Sequence, residues 1–476
     1  MKYRNKGLIV VILSIVASCK VTQKYDAPDA KIISNYRSQT QADSNTVASK
    51  NWSDFFTDTA LRKIIADGLE ENLDLKMGIQ RIVAAEAAFS QSRQAFFPEI
   101  NGTASIKRSR LAFPQGYGLI NNATQYDAGL TMAWEADIWG RLKSSKKAAL
   151  ANLLATEAAQ RAIRSKLVAD IATNYYALLA LDQKLKVLEL TLENRKKDVL
   201  TMRELKASAV VNGAAVVQSE ANQYAVEVLI PDIKRQIRET ENVLCLLLGR
   251  PSGAIERTAL SNQKLPLDLS AGIPVQLLRF RPDVAEAELV FRTAFEQVNV
   301  AKTAFYPGFN ITAAGGFTSF DISEWFTNAG LFANIMGGLT QPVFNRGVNK
   351  ARLKTAEAQQ QEAFYNFNKT LLTAGKEVSD ALFSLESASL KETSRRNELR
   401  SLEKAVDFTK ELLRYSSATN YTDVLLSEQN LLNAQMDRID DQLQQWQAVI
   451  ALYRAVGGGS QDYDDTERFV NNQKNH

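Results

Sequence analysis

The sequence predicts a mainly helical chain made of one unit written twice, with long coiled-coil helices and two β-strands of membrane-crossing length in each unit. Three observations carry this. About 70 residues, from Arg141 to Val211, contain neither proline nor glycine. Residues 126–138 alternate apolar and polar side chains with a period of two. Short Pro- and Gly-containing landmarks recur about 208 residues apart.

Composition narrows the chemistry before any element is placed. The 476 residues include a single histidine, His476, and two cysteines, Cys19 and Cys245. Most imidazole-based catalysis and the His-containing zinc motifs are excluded, and no disulfide framework is expected. Lys and Arg number 57 against 53 Asp and Glu, too balanced for a nucleic-acid binder.

The N-terminus reads as an address. Lys2, Arg4 and Lys6 precede a 12-residue apolar run, Gly7–Ser18, against roughly 20 residues needed to span a bilayer as a helix. A basic start and a short apolar core make a secretory signal over 1–18. Its end, Val16-Ala17-Ser18-Cys19, resembles a bacterial lipobox, which implies S-diacylglycerol and N-acyl groups on Cys19; the alternative is an ordinary signal peptide containing a cysteine. No other cofactor is expected. Removing 1–18 takes away three positive charges and leaves a formal charge of +1. Lys20, not Asp, follows the cysteine, so nothing marks inner-membrane retention. Residues 19–60 are expected to be an extended, lipid-anchored segment. No later stretch holds 18 consecutive apolar residues, so any membrane crossing falls to strands.

The long helix carries a heptad seam. Ile171, Leu178, Leu185, Leu192 and Val199 fall at strict sevens, with Asn174, Leu181, Leu188, Arg195 and Met202 interleaved. As one helix the stretch would be about 100 Å long. The last helix repeats the spacing at Leu425, Leu432, Ile439, Trp446 and Tyr453.

Matched landmarks define the duplication. Ala95-Phe96-Phe97-Pro98 returns as Ala304-Phe305-Tyr306-Pro307. Asn212, Ser219, Glu220, Asn222 and Gly249 return as Asn420, Ser427, Glu428, Asn430 and Gly457. Trp139-Gly140-Arg141 matches Phe344-Asn345-Arg346 at the start of each long helix. The first repeat spans 61–270, with strands at about 99–113 and 124–138 and long helices at about 141–248. The second spans 271–457, with strands at about 308–320 and 330–344 and long helices at about 346–455; a polar tail, 458–476, follows. Four strands cannot close a barrel, and open edges are not tolerated in lipid. If the strands cross a membrane, copies must pool them, and three copies supply 12. The alternative is a small soluble sheet capping a helical bundle.

Several motifs, in order, resemble the TolC-like outer-membrane factors, in particular their lipoprotein branch. They are Trp52-Ser53-Asp54-Phe55-Phe56, Trp134-Glu135-Ala136-Asp137-Ile138-Trp139-Gly140-Arg141, Leu248-Gly249-Arg250-Pro251, Arg279-Phe280-Arg281-Pro282-Asp283-Val284 and Gln341-Pro342-Val343-Phe344-Asn345-Arg346-Gly347, with Arg414-Tyr415 and Asp423-Val424-Leu425-Leu426. The resemblance implies a homotrimer with a 12-stranded outer-membrane β-barrel and a periplasmic α-barrel. It implies a passive exit duct loaded by a periplasmic adaptor and an inner-membrane pump, here of the RND type. It also implies an acidic constriction at the periplasmic turn, where Asp423 is the matching position; the plainer reading of Asp423 is a helix N-cap. Arg414 is the companion gate candidate, against a solvated helix end. The glycine often found after Arg-Tyr is absent, with Ser416-Ser417-Ala418 in its place. Phe96, Phe97, Phe305 and Tyr306 stand where helix becomes strand, as a membrane-interface girdle or as a wedge beside a helix-stopping proline. Trp325 and Phe326 would lie near the outer surface.

No Walker A, GxSxG, CxxC or metal-spaced cluster is present. An adaptor lipoprotein with one helical hairpin, a type I secretion channel and a lipid-anchored hydrolase are the rival readings.

Overall fold

The computed structural model describes residues 21–28, 47–110, 122–265, 277–415 and 421–460. Cys19, residues 111–113 and most of the 458–476 tail lie outside them. The elements in chain order are α1 (Thr59–Glu71), α2 (Leu73–Gln94), β1 (Glu99–Arg110), β2 (Asn122–Ala136), α3 (Arg141–Ala207), α4 (Gly213–Leu247), α5 (Pro282–Thr303), β3 (Gly308–Ser319), β4 (Leu331–Thr340), α6 (Val348–Tyr415) and α7 (Tyr421–Ala455). Short helical turns at Trp52–Phe55 and Leu277–Phe280 precede α1 and α5. The chain forms two compact units: one of 1–29, 81–157 and 286–367, the other of 30–80, 158–285 and 368–476.

The first unit holds an antiparallel sheet of order β1-β2-β3-β4. Its strands end for local reasons. β2 stops at Ala136 because the Asp137 carboxylate caps α3, accepting from Leu142 N and Lys143 N at 2.9 Å each. β4 stops at Thr340 rather than near 344: Pro342 offers no N–H, and Arg346 (φ 56°) and Gly347 (φ 81°) turn the chain. The loop after β3 contains a single 3₁₀ turn, Ile322–Glu324, started by Asp321 accepting from Ser323 N. Residues 21–28 lie against α5: Gln23 N donates to Asn299 Oδ1 and Asn299 Nδ2 to Gln23 O, both at 3.0 Å. Tyr25 meets Phe295 edge-on at 5.5 Å, with the Arg292 guanidinium 5.2 Å from its ring.

The second unit is helical. The α3 seam is buried at Ile171, Leu178, Leu188, Val199 and Met202, and the α7 seam at Leu425, Leu432, Ile439, Trp446 and Tyr453. Tyr176 stacks on Trp446 at 4.1 Å and Phe55 on Tyr453 at 4.1 Å. Asp58 caps α1 and gathers Thr258 Oγ1 (2.5 Å), Gln263 Nε2 (2.6 Å) and Tyr175 OH (3.0 Å) on its other oxygen. Burial pushes its carboxyl up, but these bonds and the Leu61 N–H outweigh it and hold the group below the usual carboxylate range. Arg281, 5% exposed, forks onto Asp283 and reaches Glu377 (2.7 Å) and the Ala455 carbonyl (2.9 Å).

The repeat is exact at its glycines and shifted at one junction. Gly249 (φ 62°) and Gly457 (φ 99°) each close a return helix, and a Cβ on either would lie 2.5 or 2.4 Å from the carbonyl oxygen of Glu71 or Phe280. At the long-helix starts, Gly140 (φ 79°) corresponds to Gly347 (φ 81°), each just before the first helical residue. The match of Trp139-Gly140-Arg141 to Phe344-Asn345-Arg346 is therefore corrected by two residues. The first long helix ends at Ala207, short of Val211, because Ala209 takes a left-handed conformation (φ 57°).

Candidate membrane sheet and helical tip

The register of the sheet sorts its side chains onto two faces. One face aligns Ile100, Met132, Ala313 and Ile335 in a row; Ala104, Ala128, Phe317 and Leu331 form another. Leu130, Trp134, Ile311 and Leu339 share that face. The opposite face aligns Asn101, Thr131, Ala314 and Asn334, then Ser105, Asp127 and Thr318. On the apolar face Ile100, Leu130, Ile335 and Leu339 are 60–76% exposed within one chain. Leaving each in water forgoes roughly 1.5–3 kcal/mol of burial, so the face calls for an apolar surround. From Tyr126 to Ala136 the β2 row runs about 34 Å, or about 24 Å of height at a tilt near 45°. That matches the apolar band of about 25 Å of a transmembrane barrel. Among the described residues, both edge strands, β1 and β4, lack an outer partner. No described helix is long and apolar enough to cross a membrane.

The aromatic wedges are pinned by two indoles. Trp134 Nε1 donates to the Phe96 carbonyl (2.9 Å), and Trp139 Nε1 donates to the Pro307 carbonyl (2.8 Å), so a first-repeat residue holds a second-repeat junction. Phe97 is 72% exposed, Phe305 and Tyr306 are 39% each, and Phe96 is half-buried. Arg141 forks onto Glu135 (2.7 and 2.5 Å) between strand and helix. At the far end of the sheet Trp325 stacks on Phe326 (4.6 Å) and tilts against Tyr126 (5.4 Å).

At the helical tip, α3 turns into α4 through 208–212, with Asn212 Oδ1 accepting from Ala215 N (3.1 Å). Met202, Val216, Tyr421, Val424 and Leu425 pack there as a core, and Tyr421 OH donates to buried Ser219 Oγ (2.8 Å). Asp423 is exposed and is the third residue of α7. It therefore sits in the first turn, where a carboxylate complements the helix N-terminus, and not at the N-cap position. Arg414 occupies the last turn of α6; its side chain lies outside the description.

Sequence reasoning missed a charged knot just above this tip. Arg195, 3% exposed in the α3 seam, pairs with Glu428 of α7. Lys410 Nζ of α6 reaches the other Glu428 oxygen at 2.6 Å, and Asp198 lies 4.0 Å from Arg195. Burial, then Glu428, pushes the Asp198 carboxyl up, while Lys410 and Arg195 pull it down less strongly. The repeat explains part of the knot: Arg203–Glu220 (2.7 Å) in the first repeat is matched by Lys410–Glu428 in the second. The legible signal was a lone arginine in an apolar seam, which demands a partner.

Comparison with known proteins agrees with this geometry. A family model described as "Outer membrane efflux protein" matches residues 64–250 and 273–458. The chain is 31% identical over 473 residues to the solvent efflux pump outer membrane protein SrpC of Pseudomonas putida, covering 95% of this chain and 98% of that one. It is 27% identical over 464 residues to the probable outer membrane lipoprotein SilC of Salmonella typhimurium, covering 96% and 99%. A solved membrane protein from Pseudomonas aeruginosa superposes with a TM-score of 0.85 at 27% identity, over 92% of this chain and all of that one. The doubled helical unit with its exposed amphipathic sheet thus has its place: the chain belongs to the outer membrane efflux protein family and is an outer-membrane exit channel of the TolC-like fold.

Proposed function

We propose that three copies of this chain close a 12-stranded barrel and a helical duct, through which an inner-membrane pump of the RND type, coupled by a periplasmic adaptor, drives small molecules out of the cell. The observation that carries this reading is the amphipathic sheet with two open edges, which in lipid must be completed by other strands. The duct supplies no energy and no covalent chemistry; it offers a polar path lined by the hydrophilic sheet face. Small-molecule cargo fits the solvent efflux named for SrpC. Cys19 is proposed to carry diacylglycerol and acyl groups, in line with the lipoprotein name of SilC. Phe96, Phe97, Phe305 and Tyr306 are proposed to sit at the periplasmic membrane interface.

Asp423 is proposed as the gate ring. Threefold repetition of one exposed acid at the tip concentrates negative potential and draws cations. Arg414, seven residues before the start of α7, is proposed to brace the same turn. Full-length protein in planar bilayers tests both the duct and the ring. Wild type is expected to conduct with a cation preference that Asp423→Asn reduces. Unchanged selectivity removes the ring, and absence of any conductance removes the duct. Mass analysis of the N-terminal peptide checks the anchor: an unmodified Cys19 removes it.

A further inference from the structure

Charge enters the apolar face of the sheet at one end only. On β1 that face carries Ile100, Ala104 and Ile106, and then Arg108 and Arg110. The other charged residues of the four strands, Glu99, Lys107, Asp127 and Glu135, all fall on the opposite face. Arg108 and Arg110 are both exposed, and neither has an acidic partner among the described residues. A cation on this strand reaches water on the polar face, as Lys107 does. The two arginines point instead toward whatever surrounds the apolar rows.

Their height is set by the same register. Ile106 is level with Tyr126, which closes the apolar band. Arg108 lies one pleat beyond, about 5 Å higher at a tilt near 45°, and Arg110 about 10 Å higher. A bilayer of about 40–45 Å with a hydrocarbon core of about 30 Å leaves a headgroup layer of roughly 5–8 Å on each side. Both guanidinium groups, on long flexible stems, reach that layer. They do so at the end of the sheet remote from α2 and α3, which is the outer end of an outer-membrane channel.

The loop after β3 lies on the same side of the sheet. Trp325 tilts against Tyr126 and Phe326 packs on Phe317 at 5.6 Å, and both partners belong to the apolar face. Phe326 remains 66% exposed there. The acids of this loop, Asp321 and Glu324, are engaged by Ser323 and Thr327. At the other end, the apolar face finishes in Trp134, Phe309 and Leu339, with no charge. A membrane with the same phospholipid in both leaflets would call for cations at both ends. A bacterial outer membrane is asymmetric, and its outer leaflet is built on lipid A, a disaccharide that bears phosphates above several acyl chains.

We infer that Arg108 and Arg110 bind the lipid A phosphates of outer-leaflet lipopolysaccharide, with Tyr126, Trp325 and Phe326 against its acyl chains. The planar guanidinium fork suits phosphate oxygens, and the aromatic rings suit the boundary between headgroup and hydrocarbon. The inference goes beyond the export reading and needs from it only that the sheet crosses the membrane.

Native mass spectrometry of the full-length protein in mild detergent, titrated with bisphosphorylated lipid A, tests it. Replacing both arginines, Arg108→Gln with Arg110→Gln, is expected to weaken lipid A binding at least about fivefold through lost charge-assisted hydrogen bonds. Lys107→Gln, on the same strand but the opposite face, is expected to bind as wild type does. Lipid A stripped of its phosphates should bind the wild type as weakly as the intact lipid binds the double variant, a reading that needs no substitution. Undiminished binding by the double variant, or of the phosphate-free lipid, overturns the site. An equal loss in Lys107→Gln overturns the face assignment and leaves only general positive charge. Phosphatidylglycerol bound as tightly as lipid A overturns the choice of lipid. Conductance in planar bilayers free of lipid A separates this claim from the channel reading. A protein that conducts but does not discriminate among the lipids loses the lipid site alone; one that never conducts loses the membrane-crossing sheet on which the site stands.

Discussion

Replacing Arg195 with Met probes the charged knot above the tip. The arginine side chain is 3% exposed, and its partner Glu428 is 11% exposed. Removing one member of a buried pair costs about 3–5 kcal/mol, because the remaining charge is stranded in a poorly solvated place. Here Lys410 still holds the second Glu428 oxygen at 2.6 Å, so the stranded carboxylate keeps one cation. Asp198, 24% exposed, loses one of its two favourable charges, the smaller of them, and keeps Lys410. These opposing effects put the expected loss near the lower edge of the range, about 3 kcal/mol. Glu428→Gln alone strands Arg195 instead and is expected to cost a similar amount. The double variant strands neither charge and is expected to be more stable than the two single losses predict, by about 2 kcal/mol in a double-mutant cycle. The assay is urea unfolding of the detergent-solubilised protein at fixed protomer concentration, followed by far-ultraviolet circular dichroism. An Arg195→Met midpoint equal to wild type, or strict additivity in the cycle, would refute the claim that the pair acts as a buried unit.

Further outcomes follow from the same structure. Asp198 is an acid with a raised folded-state pKa, so its ionised form weakens the fold above that pKa and the weakness is relieved as pH falls through it. Asp198→Asn is therefore expected to stabilise the protein at pH 7 and to lose that advantage on acidification; equal unfolding midpoints at pH 7 would contradict this. Asp58 has the opposite sign: its lowered pKa contributes stability above the ordinary aspartate pKa, lost as pH falls through the folded value. Asp58→Ala should flatten the acid limb of the stability profile, and an unchanged limb would count against it. On the sheet, Ile335→Lys is expected to cost up to about 2–4 kcal/mol if the residue lies near the bilayer midplane. Its neighbour on the polar face, Asn334→Lys, is expected to be tolerated; equal outer-membrane abundance of the two variants would contradict the face assignment.

Much of the architecture was legible because it rests on periodicity. The alternation from Tyr126 to Ile138 marks β2, and the sevens from Ile171 to Val199 mark a seam; both patterns are local. Gly249 and Gly457 stand out because a left-handed turn against a neighbouring carbonyl admits no side chain. The knot was illegible because its members lie on three helices, with Arg195 and Glu428 separated by 233 positions. The docking of Tyr25 and Gln23 on α5 was hidden for the same reason: a short irregular segment has no period, and its partner Asn299 is 276 residues away. The two-residue error at the second long-helix start arose from matching Arg141 to Arg346 by type. Conformation decides the match there: Arg346 is in the turn, and the helix waits for Gly347 to pass. The Asp423 N-cap reading failed because α7 begins at Tyr421, three residues earlier than a cap at 423 would allow.

The central claim is that one chain brings an amphipathic sheet it cannot seal alone. Native mass measurement of the protein extracted from outer membranes in mild detergent tests it most directly. The account predicts a particle of three chains that resists dilution. A stable single-chain particle that stays soluble without detergent would contradict it.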